Sequence, residues 1–249
     1  MRNINTSKNV GFVIPACAGI QFNQDTGWPF LETRHKRLVF RNKPGITTFA
    51  FILLIALLWL PVTVQAAAAA KNILVFGDSL SAGYGLETTE SWPYLLQQEL
   101  DRSRINFKVL NASISGETSL GGRQRIARLL EQYRPAIVIV ELGANDGLRG
   151  FSTADIEDNL NEILLQINQA RAKTLLVGMK LPPNYGEPYI TQFQSVFPRL
   201  TEKHRVSLLP YLLEGVSADQ FQPDNLHPAA ASQPHITNNV LQALKPLLR

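Results

Sequence analysis

Ser79, Asp224 and His227 are the residues whose types and spacing could together perform nucleophilic chemistry at neutral pH. Ser79 stands in Gly77-Asp78-Ser79-Leu80-Ser81, where the apolar run Ile73 to Phe76 breaks off. A short continuous apolar run fits a strand buried on both faces, and Gly77 permits a tight turn after it. The carboxyl end of such a strand is where open α/β sheets bind ligands. A serine hydroxyl is a poor nucleophile until a base takes its proton, and histidine suits that task. From Lys71 onward the only histidines are His204, His227 and His235. His204, in Glu202-Lys203-His204-Arg205, reads as a solvated helix end, and His235 as a surface or packing residue of the last helix. His227 follows Asp224 by three residues and precedes Pro228. An acid so placed can fix the imidazole tautomer and stabilise the imidazolium. Ser81 occupies the place of the second glycine in a Gly-x-Ser-x-Gly elbow, which argues against an ordinary α/β-hydrolase.

Acyl transfer also needs donors aimed at the developing oxyanion, each worth roughly 3–4 kcal/mol. Three are available at comparable places in the chain: the Ser79 backbone N–H, the Gly116 backbone N–H and the Asn145 side-chain amide. Each has an ordinary structural explanation when taken singly. Gly-Asp-Ser and Gly116 are turn chemistry, Asn145 suits an Asx turn, and Asp-x-x-His suits a helix cap.

Their positions depend on the elements that carry them. Apolar runs at Ile73–Phe76, Phe107–Leu110, Ala136–Leu142, Thr174–Met179 and Val206–Leu212 alternate with amphipathic stretches. These stretches are Trp92–Leu100, Leu120–Tyr133, Thr153–Ala172 and Pro188–His204, and a last helix runs from about His235 to Leu248. In the third, Ile156, Leu160, Ile163, Leu164 and Ile167 recur at helical spacing, with Thr153 as its cap. The alternation predicts an α/β fold, a three-layer α/β/α sandwich on a five-stranded parallel sheet. Right-handed crossovers favour a flavodoxin-like order of 2-1-3-4-5. The polar segments after the strands then open on one rim: Asn111 to Thr118, Gly143 to Gly147, Leu181 to Gly186 and Asp224 to Pro228.

The first 70 residues have a different character. A basic flank with Arg34, Lys36, Arg37, Arg41 and Lys43 precedes the apolar run Ile46 to Leu60, then Pro61 and the alanines from Ala66 to Ala70. This is the pattern of a secretory signal peptide cleaved after Ala66 or Ala68; the alternative is an uncleaved inner-membrane anchor, for which the apolar part falls short of the roughly 20 residues of a spanning helix. The expected organisation is a leader over 1–66, with the signal peptide at 41–66, and one catalytic domain over 67–249. Residues 1–40 have two accounts: a start-site artefact, with translation beginning near Leu38 or Val39, or a disordered extension. The chain's net charge of +4 comes from the leader, because residues 71–249 carry seventeen Lys and Arg against eighteen Asp and Glu. That balance gives no reason to expect a nucleic-acid partner. The single cysteine, Cys17, lies in the leader, so the exported part has neither disulfides nor a thiol nucleophile.

In combination, these segments resemble the SGNH (GDSL) hydrolase family from about Lys71 to the end. Gly77-Asp78-Ser79-Leu80-Ser81 is similar to its first block, Gly116 to its second, Gly143-Ala144-Asn145-Asp146 to its third, and Asp224-x-x-His227-Pro228 to its last. Ala144 departs from the usual glycine. The segments 111–116, 145–149 and 181–186 resemble a subgroup of bacterial periplasmic esterases with broad activity. The resemblance implies a secreted or periplasmic serine hydrolase of esters and thioesters (arylesterase, acyl-CoA thioesterase or lysophospholipase). It also implies Ser79 as nucleophile, His227 as base and acid, and Asp224 as its orienting partner, with Ser79, Gly116 and Asn145 as the oxyanion hole. No metal or cofactor is expected; the expected partner is a small-molecule ester or thioester, the membrane is expected to be met only through the leader during export, and a monomer is expected. Leu181, Pro182 and Tyr185, in a stiff apolar loop, are expected to bind the substrate. A carbohydrate O-acetylesterase and a non-catalytic flavodoxin-like binding module are the alternatives.

Overall fold

The computed structural model describes residues 69–249, which belong to one compact unit. The expected leader, including the run Ile46 to Leu60, lies outside the described residues. Five strands form one parallel sheet: β1 (Lys71–Gly77), β2 (Phe107–Asn111), β3 (Ile137–Glu141), β4 (Lys173–Val177) and β5 (Ser207–Leu209). Their order is β2-β1-β3-β4-β5, the flavodoxin-like order.

Seven α-helices connect and follow them among the described residues: α1 (Ser79–Ala82), α2 (Trp92–Arg102), α3 (Ser119–Tyr133), α4 (Ala144–Leu148), α5 (Thr153–Gln169), α6 (Glu187–His204) and α7 (Gln233–Leu244). Helices α2 and α7 pack together, while α3, α5 and α6 pack in sequence as a second group. Covering both faces explains why Ile73 to Phe76 and Ile137 to Val140 are uniformly apolar and buried. In α5 the stripe Ile156, Leu160, Ile163, Leu164 and Ile167 is buried, as its spacing requires.

Local boundaries differ from expectation for identifiable reasons. Thr153 is the first helical residue of α5, and Ser152 occupies its cap position without a side-chain cap bond. Strand β5 stops at Leu209 because Pro210, which has no N–H, follows it. The last helix starts at Gln233 and gives way to a 3-10 turn over Lys245–Leu247. Helices α1 and α4, at 4 and 5 residues, are too short to leave a periodic signal.

Candidate active site

The turn after β1 presents Ser79 as the first residue of α1. Asp78 caps that helix, its Oδ1 accepting from Leu80 N at 3.0 Å. Ser79 Oγ lies 2.8 Å from His227 Nε2, and His227 Nδ1 lies 2.7 Å from Asp224 Oδ2. Asp224 also accepts backbone N–H bonds at Oδ1 from His227 and Leu226, each 2.9 Å. These donors, with the imidazole, hold its carboxyl down at about 2. An ionised Asp224 fixes the neutral tautomer with the proton on Nδ1, so Nε2 is free to accept from Ser79 Oγ–H. The ring of Tyr84 lies over the imidazole with centroids 4.4 Å apart. Gln222 steadies the base loop from the other side: its N–H donates to His227 O at 2.7 Å, and its amide donates to Tyr84 O at 2.8 Å.

Gly116 and Asn145 line the same cavity as Ser79 and His227. Gly116 has φ +80, a left-handed backbone that a side chain would strain. Its carbonyl accepts from Arg149 Nη2 at 3.2 Å. Asn145 donates from Nδ2 to Asp78 Oδ2 at 2.9 Å. The loops that carry these groups are tied to one another. Asn111 Nδ2 donates to Ser81 O at 2.7 Å, and Gly77 N donates to Ser113 Oγ at 3.1 Å. Ser119 donates from its backbone N and its Oγ to the buried Asp146, at 2.8 and 2.6 Å. Arg125 pairs with Glu117, donates to Ala112 O at 2.7 Å and stacks on Phe76. Five or more bonds across three loops hold the rim in one arrangement, which a reacting geometry requires.

The cavity is about 490 Å³ and its walls are largely apolar, including Leu148, Met179, Leu181, Leu213, Phe221 and Leu226. Leu181 and Pro182 line it. Tyr185, also expected to bind substrate, is not among the residues that line it. Its hydroxyl donates to Leu148 O at 2.8 Å, so it braces a lining residue from behind. His204 and His235 stand outside the site, at Asn161 Oδ1 and Glu214 O respectively, each at 2.8 Å. Among the described residues no group of three His, Cys, Asp or Glu side chains gathers as metal ligands.

Glu141, the last residue of β3, was passed over in the sequence. It is fully buried behind the Ser79 turn, where its Oε2 accepts from Ser81 Oγ at 2.5 Å and from Asp78 N at 3.2 Å. The signal available was a lone carboxylate inside the apolar run Ala136–Leu142. Asp78 likewise has more to do than shape a turn, since it is fully buried and holds Asn145. Burial pushes its carboxyl up to about 6, against the lowering effect of its hydrogen bonds.

The description GDSL-like Lipase/Acylhydrolase family belongs to a family model that matches residues 75–233, a span containing all five of Ser79, Gly116, Asn145, Asp224 and His227. Esterase TesA of Pseudomonas aeruginosa is 46% identical over 183 residues, covering 73% of this chain and 91% of that relative. Thioesterase 1/protease 1/lysophospholipase L1 of Escherichia coli is 42% identical over 184 residues, covering 73% of this chain and 87% of that relative. A crystal structure of TesA superposes with a TM-score of 0.70 at 44% identity, covering 71% of this chain and 99% of the other.

Proposed function

The chain belongs to the GDSL-like lipase/acylhydrolase family, and on that premise we propose that it hydrolyses carboxylic esters and thioesters through an acyl-serine intermediate on Ser79. The observation that carries this reading is the continuous path from Asp224 through His227 to Ser79 Oγ, with links of 2.7 and 2.8 Å.

As Ser79 Oγ attacks the substrate carbonyl carbon, His227 Nε2 takes its proton. The new imidazolium faces the Asp224 carboxylate, which stays ionised. Negative charge collects on the former carbonyl oxygen, within reach of the Ser79 and Gly116 N–H groups and the Asn145 amide. Asn145 spends one N–H on Asp78, so its second N–H is the one left for the oxyanion. Collapse of the tetrahedral species expels the alcohol or thiol, which receives the proton from His227. Water then repeats the sequence on the acyl-serine and releases the acid. Ester and thioester differ here only in the leaving atom, so one site can serve both.

The apolar walls around Leu148, Leu181 and Phe221 favour an acyl chain over a sugar as the group held beside Ser79. We also propose export, with the leader removed so that a chain beginning near Ala67 folds as the single catalytic domain. The test is incubation of the protein with an alkyl p-nitrophenyl phosphonate, followed by intact-mass measurement and peptide mapping. One adduct on Ser79, absent from Ser79→Ala, is expected together with loss of activity toward p-nitrophenyl acetate. No adduct on the active protein, or an adduct elsewhere that abolishes activity, would overturn the reading.

A further inference from the structure

Two fully buried carboxyls, Asp78 and Glu141, lie behind the nucleophile, and neither has a step in the reaction above. The sheet register sets Glu141 directly opposite Gly77. A Cβ at position 77 would collide with Glu141 Oε2, so glycine there leaves room for the carboxyl as well as for the turn. Glu141 Oε2 receives the Asp78 N–H at 3.2 Å and the Ser81 hydroxyl at 2.5 Å, while Oε1 has no donor. Asp78 sends its own oxygens in two directions, Oδ1 to Leu80 N at 3.0 Å and Oδ2 to Asn145 Nδ2 at 2.9 Å.

We propose that Glu141 is a positioning residue for the oxyanion side of the site: it clamps the turn carrying Ser79 through Asp78 N and Ser81, and through Asp78 it aims the Asn145 amide. The inference rests on the serine-esterase reading. Two adjacent carboxyls out of water do not both ionise, because each charge is desolvated and repels the other. Asp78 is the better seat for the charge, since both its oxygens have N–H donors. Glu141, pushed well above its ordinary value by burial and then by Asp78, keeps the proton. A charged Asp78 accepts but cannot donate, so it meets the NH2 end of Asn145 and not its carbonyl oxygen. The amide is thereby fixed in the sense an oxyanion needs. A neutral Glu141 and a glutamine present the same shape and can both accept and donate.

The experiment measures kcat and KM on p-nitrophenyl acetate for the wild type, Glu141→Met, Glu141→Gln and Asn145→Ala, and for Glu141→Met combined with Asn145→Ala. Methionine keeps the volume and removes the hydrogen bonds. Glu141→Met is expected to lower kcat by about 10- to 100-fold with KM within about twofold. Glu141→Gln should recover kcat to within about fivefold of the wild type, and the double variant should be no worse than about threefold below Asn145→Ala alone. If Glu141→Met does not fold, Ser81→Ala removes one of the two bonds and should lower kcat by about 3- to 10-fold with the same constancy of KM. Wild-type kcat in Glu141→Met or, should that not fold, in Ser81→Ala overturns the inference. So does Glu141→Gln as impaired as Glu141→Met, or multiplying losses in the double variant. A wild type that has no esterase activity would instead sink the underlying reading, so the two failures are distinct.

Discussion

Asn145 holds one amide N–H on Asp78, and in the mechanism we propose the other serves the developing oxyanion. Removing it should therefore act on the transition state and leave ground-state binding alone. Asn145→Ala is expected to lower kcat on a short ester by a factor on the order of 100 to 1,000 with KM barely changed. A rise in KM matching the loss in kcat would assign Asn145 to substrate binding instead. The carboxyls behind it make a separate prediction about stability. Asp78, pushed up to about 6, and Glu141, pushed well above its ordinary value, keep protons in the folded chain after the unfolded chain has lost them. The folded state then binds more protons, so their contribution to stability falls as pH rises through about 4 and on past about 6. The groups around the pair are Ser81, Asn145 and, acting on Asp78, His227. Glu141→Gln removes the Glu141 share, so its Tm should gain on the wild type as pH is raised from about 4 to about 8. A Tm difference that is flat or shrinking over that range would place an ionised Glu141 in the folded protein. The grouping of Ser79, Asp224 and His227 was legible in sequence because few residue types suit this chemistry, and Ser79 follows the end of β1 directly. Glu141 was not, because its meeting with Gly77 depends on the register of β1 against β3, which the sequence does not display.

The exit of β4 gives the cavity one of its walls. Met179, Leu181 and Pro182 line it, while Tyr185 braces Leu148 from outside. Trimming this wall should matter more as more of the acyl chain touches it, by up to roughly 0.8 kcal/mol per methylene that loses burial. For Leu181→Ala, kcat/KM on p-nitrophenyl acetate is expected to stay within about threefold of the wild type, with progressively larger losses through butyrate to octanoate. Equal losses across the series would remove Leu181 from acyl-chain binding. The long elements were readable because burial on both faces writes itself as continuous apolar strands and striped helices, as in Ile137–Glu141 and Thr153–Gln169. Short elements carry no such record: α1 and α4 form because Asp78 and Gly143 end strand segments in tight turns. The side of the 181–186 loop that faces the cavity is likewise set by contacts with α4, not by local composition.

At the scale of the whole chain, charge and hydropathy divide the sequence just before β1. Lys71 is the first residue of β1, so cleavage between Ala66 and Lys71 would leave the whole strand Lys71–Gly77 intact. N-terminal sequencing of protein recovered from the periplasm of an expressing bacterium is expected to find a start between Ala67 and Lys71. A product that still carries Ile46 to Leu60 would mean a retained membrane anchor. In the mechanism we propose, the remaining domain works through one site in which Ser79 and His227 act as a unit. The most direct measurement is kcat on p-nitrophenyl acetate for Ser79→Ala, His227→Ala and the double variant, each checked for a wild-type fold. Each single variant should lose nearly all activity and the double should be little worse than either, because neither residue is useful without the other. Substantial activity in Ser79→Ala, or losses that multiply in the double variant, would contradict the account.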